Sequence, residues 1–307
     1  VISHLPLAEK WAGQAILERV PKGKIFGYAP IPGVVSLRQK WLAKISGEHP
    51  AYAKFAAMPI VTNGITHGLA LASRLFMDVG QTIVTADKSW ENYEHIFTGV
   101  QGLKVATFSL FDDHGKFNIR DCINICRKTA AAQGKVILLL NFPHNQTGFT
   151  PSVPEAKQLG NELHKLCSEM QCISFVVLLD DAYEGYVYDE AGSKKSILSE
   201  IFARLPNLTV VKMDGISKAL LAYGYRIAFL TFFLNSPVEK SLSDEIDSKV
   251  GGLIRGEISQ VNHHGQILAD AFMDEYDEVL RQREDVILLL KERWKIVIKT
   301  IKECYTK

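Results

Sequence analysis

The 307-residue chain has little of several things, and each scarcity narrows what it can be. Its cysteines are five, Cys122, Cys126, Cys167, Cys172 and Cys304, an odd and sparse set that excludes a disulfide-stapled scaffold. Cys122 and Cys126 stand four apart on an expected helix, but no second Cys/His pair follows at ligand spacing. They read as buried or half-buried thiols, not as half of a metal site. A reducing, cytoplasmic compartment is expected. There is no surplus of one charge: 35 Lys+Arg against 34 Asp+Glu leave +1. That removes the electrostatic case for a nucleic-acid or anionic-membrane binder, so any bound anion must be held by local geometry. No apolar run approaches a membrane span. The opening VISHLPLAEKWAGQ has neither a basic nor an apolar leader region. There is no internal repeat and no low-complexity tract.

What is present is core-forming material, with 47% hydrophobic and 22% charged residues. At about 100–200 residues per domain, the length fits one large domain or a large and a small one. Short apolar runs alternate with helical patterns. Expected strands are Met58–Thr62, Thr82–Ala86, Leu103–Phe108, Val136–Asn141, Ile173–Leu179, Leu208–Met213 and Ile227–Phe233. Most are continuous and not alternating, as when helices cover both faces of a sheet. Helical patterns cover Thr66–Phe76, Ile119–Ala132, Pro154–Met170 and Ser196–Leu205, and two long helices are expected at Ile258–Tyr276 and Glu278–Lys302. The fold class is therefore α/β, a three-layer sandwich with a mostly parallel sheet, whose ligands belong at the carboxyl ends of the strands.

Chemistry-bearing residues collect at those ends. Asp180-Asp181-Ala182-Tyr183 follows one strand, and Ser217-Lys218 follows another with Arg226 eight residues on. Asn145 and Gly148 follow a third, and Asn63-Gly64-Ile65 opens a helix after a fourth. Singly, each has an ordinary explanation as a solvated charge, a cap or a turn residue. Together they are the parts needed to hold pyridoxal 5′-phosphate. An amine forms the Schiff base, and a carboxylate keeps the ring nitrogen protonated. Helix-start N–H groups with a cation take the phosphate, and a flat side chain covers the ring.

The order and spacing of PHNQTG at 143–148, DDAYEGY at 180–186 and SKALLAYGYR at 217–226 resemble the class I/II aminotransferases of the fold-type-I pyridoxal-phosphate enzymes, from about Phe26 to Gly265. The resemblance implies Lys218 as Schiff-base lysine and proton carrier. Asp180 becomes the ring-nitrogen partner, with a carboxyl depressed by that cation. Asn145 and Tyr183 serve the ring's phenolate oxygen. Arg226, Ser217, Asn63 and the N–H groups near Gly64 and Ile65 fall at the phosphate, and Trp90 stacks on the ring, its alternative being a core tryptophan. Phe26-Gly27-Tyr28 and Arg255 resemble segments that reach into a neighbouring subunit, Tyr28 to the phosphate and Arg255 to a substrate carboxylate. That implies a homodimer with shared active sites; the other reading of Arg255 is an exposed structural arginine.

Two positions depart from the pattern. Gln146 replaces the family's frequent proline, so the Asn145–Gln146 bond is expected trans, the cis form costing about 2.5–4 kcal/mol. Gly215 stands where a hydroxyl residue is frequent, so one phosphate contact is expected to be missing or supplied by water. Arg281, Arg283 and Arg293 read as solvated charges, and the family's arginine for the substrate α-carboxylate has no counterpart after Ser259. The expected organisation is an N-terminal helical segment (1–25), a cofactor domain (26–265) and a connecting helix with a partial small domain (266–307), both ends reading as cut or processed. The activity implied is transfer of an amino group from an amino acid to a 2-oxo acid. The alternatives are a lyase on the same scaffold, or a non-catalytic regulator that keeps the cofactor. Arg255 points to a dicarboxylic donor, Trp90 and Tyr93 to an aromatic one.

Overall fold

All seven expected apolar runs form strands: β1 (Ile60–Thr62), β2 (Thr82–Ala86), β3 (Lys104–Phe108), β4 (Lys135–Asn141), β5 (Ser174–Asp180), β6 (Leu208–Gly215) and β7 (Ala228–Phe233). The computed structural model describes residues 4–11, 18, 20, 23, 25–170, 173–188, 196–202 and 208–305. Most of the expected segment 1–25, the end of the expected helix Ser196–Leu205, and Cys172 lie outside the described residues. The strands join one sheet in the order β1-β7-β6-β5-β4-β2-β3, with β7 antiparallel to both neighbours and the remaining pairs parallel.

Alternate residues of the central strands feed two cores, which explains their unbroken hydrophobicity. Val136, Leu138 and Leu140 of β4 and Phe175, Val177 and Leu179 of β5 face one core. Ile137 and Leu139 of β4 and Val176 and Leu178 of β5 face the other. Helices Val35–Glu48, Ile119–Gln133, Val153–Glu169 and His263–Asp274 bury apolar residues in the first core, and Gly64–Phe76 and Lys240–Ile258 in the second. This is a three-layer α/β sandwich. Cys122 and Cys126 are buried in the first core. Local signals agree with the elements: Ser152 and Glu155 form a reciprocal capping box, and Gly134 ends its helix in the left-handed region. No helix of the described residues is long and apolar enough to cross a membrane.

The expected helix Ile258–Tyr276 is corrected. Ile246, Val250 and Ile254 recur every fourth residue, and their helix begins at Lys240 and ends at Ile258. The chain reverses at Ser259 (φ 66°), and a new helix starts where the Asn262 side chain accepts the Gly265 N–H at 3.2 Å. The last helix, Tyr276–Tyr305, buries Val279 and Val286, while Trp294, Ile296 and Val297 are exposed.

Beneath the carboxyl edge of β5 and β6 lies a buried ion cluster. Lys212 is fully buried, with Nζ 2.5 Å from Asp181, 2.8 Å from Glu184 and 3.5 Å from Asp214. Lys44 reaches Glu48 at 2.9 Å and Asp214 at 3.5 Å, and the Trp41 indole N–H donates to Asp214 at 2.9 Å. The facing carboxylates outweigh desolvation and raise the Lys212 ammonium, while Lys212 and Lys44 together hold Glu184 low. Both ends of this cluster are strand ends, so it fixes the two loops that follow β5 and β6. Removing one partner of such a cluster strands the others without solvent. Lys212→Met is expected to cost about 3–5 kcal/mol in urea unfolding. Lys240→Met, whose 2.7 Å pair with Asp244 is exposed, should leave the midpoint unmoved. Equal effects from the two would contradict this reading.

Candidate active site

Register sets the site. Asn141 is paired with Asp180 and Asp180 with Met213, so β4, β5 and β6 end together at one edge. A cavity of about 340 Å³ opens there, lined by Ile65, Thr66, Trp90, Asn141, Asn145, Asp180, Ala182, Tyr183, Gly215, Ser217, Lys218, Tyr223 and Arg226. Its size lies in the range of ligand pockets, roughly 300–1,000 Å³. A second cavity of about 480 Å³ adjoins it, sharing Asn145, Tyr183 and Lys218.

Asp180 is buried at the end of the central strand. The Tyr93 hydroxyl donates to its Oδ2 at 2.6 Å, and the Ala182 N–H donates to Oδ1 at 3.2 Å. Burial raises the carboxyl above its ordinary range, and these two hydrogen bonds pull the other way. The expected depression of Asp180 concerns the protein with the ring cation beside it; the protein's own groups leave the carboxyl raised. The depressing cation in that expectation belongs to a cofactor ring, not to a side chain of this protein. Burial, and after it the same carboxylate, raise the Tyr93 phenol well above its usual value, so Tyr93 stays a donor. Its hydroxyl is committed to Asp180, which withdraws Tyr93 from the substrate role read for it.

Lys218 sits in the short helix Ile216–Ala219 after β6, its Nζ 5.4 Å from the centre of the Tyr183 ring. The Tyr186 hydroxyl donates to the Lys218 carbonyl at 2.8 Å and holds that turn against the loop after β5. Asn145 is placed from its own strand, its N–H donating to the Asn141 side chain at 2.8 Å. The Asn141 amide in turn donates to the Asp180 carbonyl at 2.7 Å. The only cis bond among the described residues is Phe142–Pro143, so Asn145–Gln146 is trans as expected. Trp90 lines the cavity and meets Tyr93 edge to face at 5.5 Å.

Gly64 has φ 77°, and a Cβ there would overlap the Arg226 guanidinium, itself on a residue with φ 57°. Only glycine lets that cation press against the helix start. Ile65 and Thr66 reach the cavity, whereas Asn63 is exposed beside it and does not line it. Gly215 has a steric reason: a Cβ would fall 2.7 Å from the Ala228 Cα on the paired strand, so a hydroxyl side chain has no room. Tyr28 is 84% exposed and Arg255 lies exposed on its helix; neither lines either of these two cavities. Of the three later arginines, Arg281 pairs with Glu278 at the surface. Arg283 is corrected: it packs over the Tyr186 ring and donates to the Glu184 carbonyl. Arg293 lines the second cavity. Thr66, Asn141 and Tyr223 carry no site expectation from the sequence, and neither does the bond from Tyr93 to Asp180.

The family model for aminotransferases of class I and II matches residues 4–306. The chain belongs to that family. An aspartate aminotransferase of Sulfurisphaera tokodaii is 24% identical over 282 residues, covering 90% of this chain and 62% of that protein. Thus the chain spans less than two thirds of the length of this curated relative. The crystal structure of an aminotransferase from Anaerococcus prevotii matches the fold with a TM-score of 0.81 at 23% identity, over 98% of this chain and 71% of that one. An aromatic-amino-acid aminotransferase from Burkholderia pseudomallei, covalently bound to pyridoxal phosphate, matches at TM-score 0.72 and 19% identity, over 94% and 68%. Class I and II aminotransferases depend on pyridoxal phosphate, and the residues here fit it. A buried acid faces the cavity without a salt bridge among the described residues, a lysine lines the same cavity, and a glycine makes room for an arginine at a helix start.

His144, in the loop that carries Asn145, sets a pH dependence. Burial is the main cause that holds its imidazole at about 4, Asp87 opposing and Lys88 assisting. Its Nδ1 lies 3.0 Å from the Thr147 hydroxyl. A folded value below the unfolded one of about 6.5 means that the neutral form stabilises the loop above that pH. This contribution is lost as pH falls from about 6.5 through about 4. Thermal midpoints should drop over that window, with a shallower drop in His144→Asn; identical pH profiles for the two proteins would refute the assignment.

Proposed function

We propose that this protein is an aminotransferase that moves an amino group from an amino acid to a 2-oxo acid with pyridoxal 5′-phosphate held on Lys218. The observation that carries the reading is Asp180, a buried acid with a raised carboxyl that faces the same cavity as Lys218. When bound, pyridoxal phosphate supplies an electron sink for the pair left on the substrate Cα as its proton departs.

The chain's own groups do the rest. The Asp180 carboxylate accepts the ring N–H, and Tyr93 keeps that carboxylate oriented. The Asn145 amide and Tyr183 hydroxyl donate to the ring oxygen. Arg226, the Ser217 hydroxyl and the helix-start N–H groups beside Gly64 hold the phosphate, so no basic surface is needed. Trp90 covers the ring face. Lys218 Nζ takes the Cα proton as general base and returns it as general acid. The same lysine serves both half-reactions, and the first oxo acid leaves, its amino group retained by the enzyme, before the second enters, so ping-pong kinetics follow.

The working unit in this reading is a homodimer with shared active sites, to which each subunit lends Tyr28 for the neighbour's phosphate and Arg255 for a substrate carboxylate. The 90% and 84% exposure of Phe26 and Tyr28 supports it, since large aromatics so placed await a partner surface. The cofactor domain is 26–265 and the connection 266–307, with helix His263–Asp274 packed on the former. A cytoplasmic location, expected from the sparse and odd cysteine set, goes with this reading.

Addition of pyridoxal phosphate to the full chain is expected to give an absorbance band near the visible edge that Lys218→Ala abolishes. No band in cofactor-saturated protein would overturn the proposal. In a following donor screen, an amino group delivered to a 2-oxo acid supports transamination, whereas ammonia with pyruvate would replace it by elimination.

A further inference from the structure

His67 is a buried polar residue one turn into the helix Gly64–Phe76, and the chemistry above gives it no task. Its Nδ1 accepts the backbone N–H of Asn63 at 3.1 Å. Asn63 is the residue that caps this helix, yet its own side chain makes no capping hydrogen bond. The backbone that leads into Gly64 is therefore held from inside the helix by the imidazole.

The ring is itself held. Its Nε2 lies 3.1 Å from Glu257 Oε2, and Glu257 Oε1 lies 2.5 Å from Arg74 Nη1. A neutral imidazole has one donor and one acceptor. With Nδ1 accepting from Asn63, the hydrogen stands on Nε2 and points at Glu257. Burial favours this neutral form, against the pull of the Glu257 charge. The carboxylate thus fixes both the tautomer and the plane of the ring, as second partners of functional histidines do. The next residue along the chain from the held amide is Gly64, the position against which the Arg226 guanidinium is pressed. A small shift of the Asn63 peptide would move the glycine and with it the seat of that cation.

We propose that His67, anchored by Glu257, is a positioning residue that fixes the Asn63–Gly64 backbone and so sets the geometry in which Arg226 and the helix start receive the cofactor phosphate. The inference rests on the cofactor reading above.

Two isosteric variants separate the two ends of the ring. His67→Asn keeps an oxygen acceptor near the Nδ1 position and loses the reach to Glu257. His67→Gln keeps a polar group near Nε2 and loses the acceptor for Asn63. Affinity for pyridoxal phosphate and for pyridoxal, which lacks the phosphate, is measured on each full-length protein together with exchange of the Asn63 amide hydrogen. One lost hydrogen bond corresponds to roughly a three- to ten-fold effect. His67→Gln and His67→Ala are expected to bind pyridoxal phosphate roughly three- to ten-fold more weakly, with faster exchange at Asn63. His67→Asn, which keeps the acceptor and loses the anchor, should fall between wild type and His67→Ala in both, and pyridoxal affinity should be unchanged throughout. Equal losses for both ligands, which a general loss of folding would produce, overturn the inference, as does a His67→Asn protein as impaired as His67→Ala. Wild-type protein that binds neither ligand would overturn the cofactor reading and the inference with it. Wild-type binding with no effect of any His67 variant would overturn the inference alone.

Discussion

A carboxylate buried at the end of the central strand is the constraint around which the candidate site is arranged. Moving an acid out of water without a countercharge is expensive, and proteins ordinarily avoid it or pair it. Asp180 is given a phenol and one backbone N–H, enough to orient it but not enough to cancel its burial. The neighbouring parts follow from that placement. Asn141 ties the Asp180 backbone to the loop of Asn145, and Tyr93 brings Trp90 to the same cavity. An acid held in this way is suited to a cationic or hydrogen-bond-donating guest, and in the proposed function that guest is a ring with a protonated nitrogen.

One layer below, the same strand end is treated in the opposite manner. Asp181 and Glu184, the next acids along the chain, are matched to the buried Lys212, and Asp214 to Lys212 and Trp41. The matched acids make the loops after β5 and β6 rigid, and the unmatched acid keeps its electrostatic demand for a ligand. Consecutive residues, Asp180 and Asp181, thereby take different roles because alternate strand positions face opposite sides of the sheet.

The strands were legible because both faces are covered, and long runs of Val, Ile and Leu follow from that alone. The residues directly after them were legible for a topological reason: parallel strands deliver their carboxyl ends to one edge, so Asp180, Lys218, Arg226 and Asn145 had to meet. Less legible was whatever depends on a partner distant in sequence. Tyr93 reads as one more aromatic until Asp180, 87 positions away, is seen against its hydroxyl. His67 and Glu257 lie 190 positions apart. Helix Lys240–Ile258 was hidden by its Gly251-Gly252 pair and few apolar residues, and its packing, not its propensity, sustains it. The helix Val35–Glu48 carries a signal in the sequence, Leu37, Trp41 and Ile45 at spacing four, weaker than the apolar runs of the strands.

The most direct test of this account is the protonation state of the bound ring. Pyridoxal phosphate labelled with nitrogen-15 in the ring is added to the wild-type chain and to Asp180→Asn, and the ring-nitrogen chemical shift is recorded. The account predicts a protonated nitrogen in the wild type at neutral pH and an unprotonated one in the variant. An unprotonated ring in the wild type, or the same shift in both proteins, would contradict the role of Asp180 and with it the chemistry derived for the site.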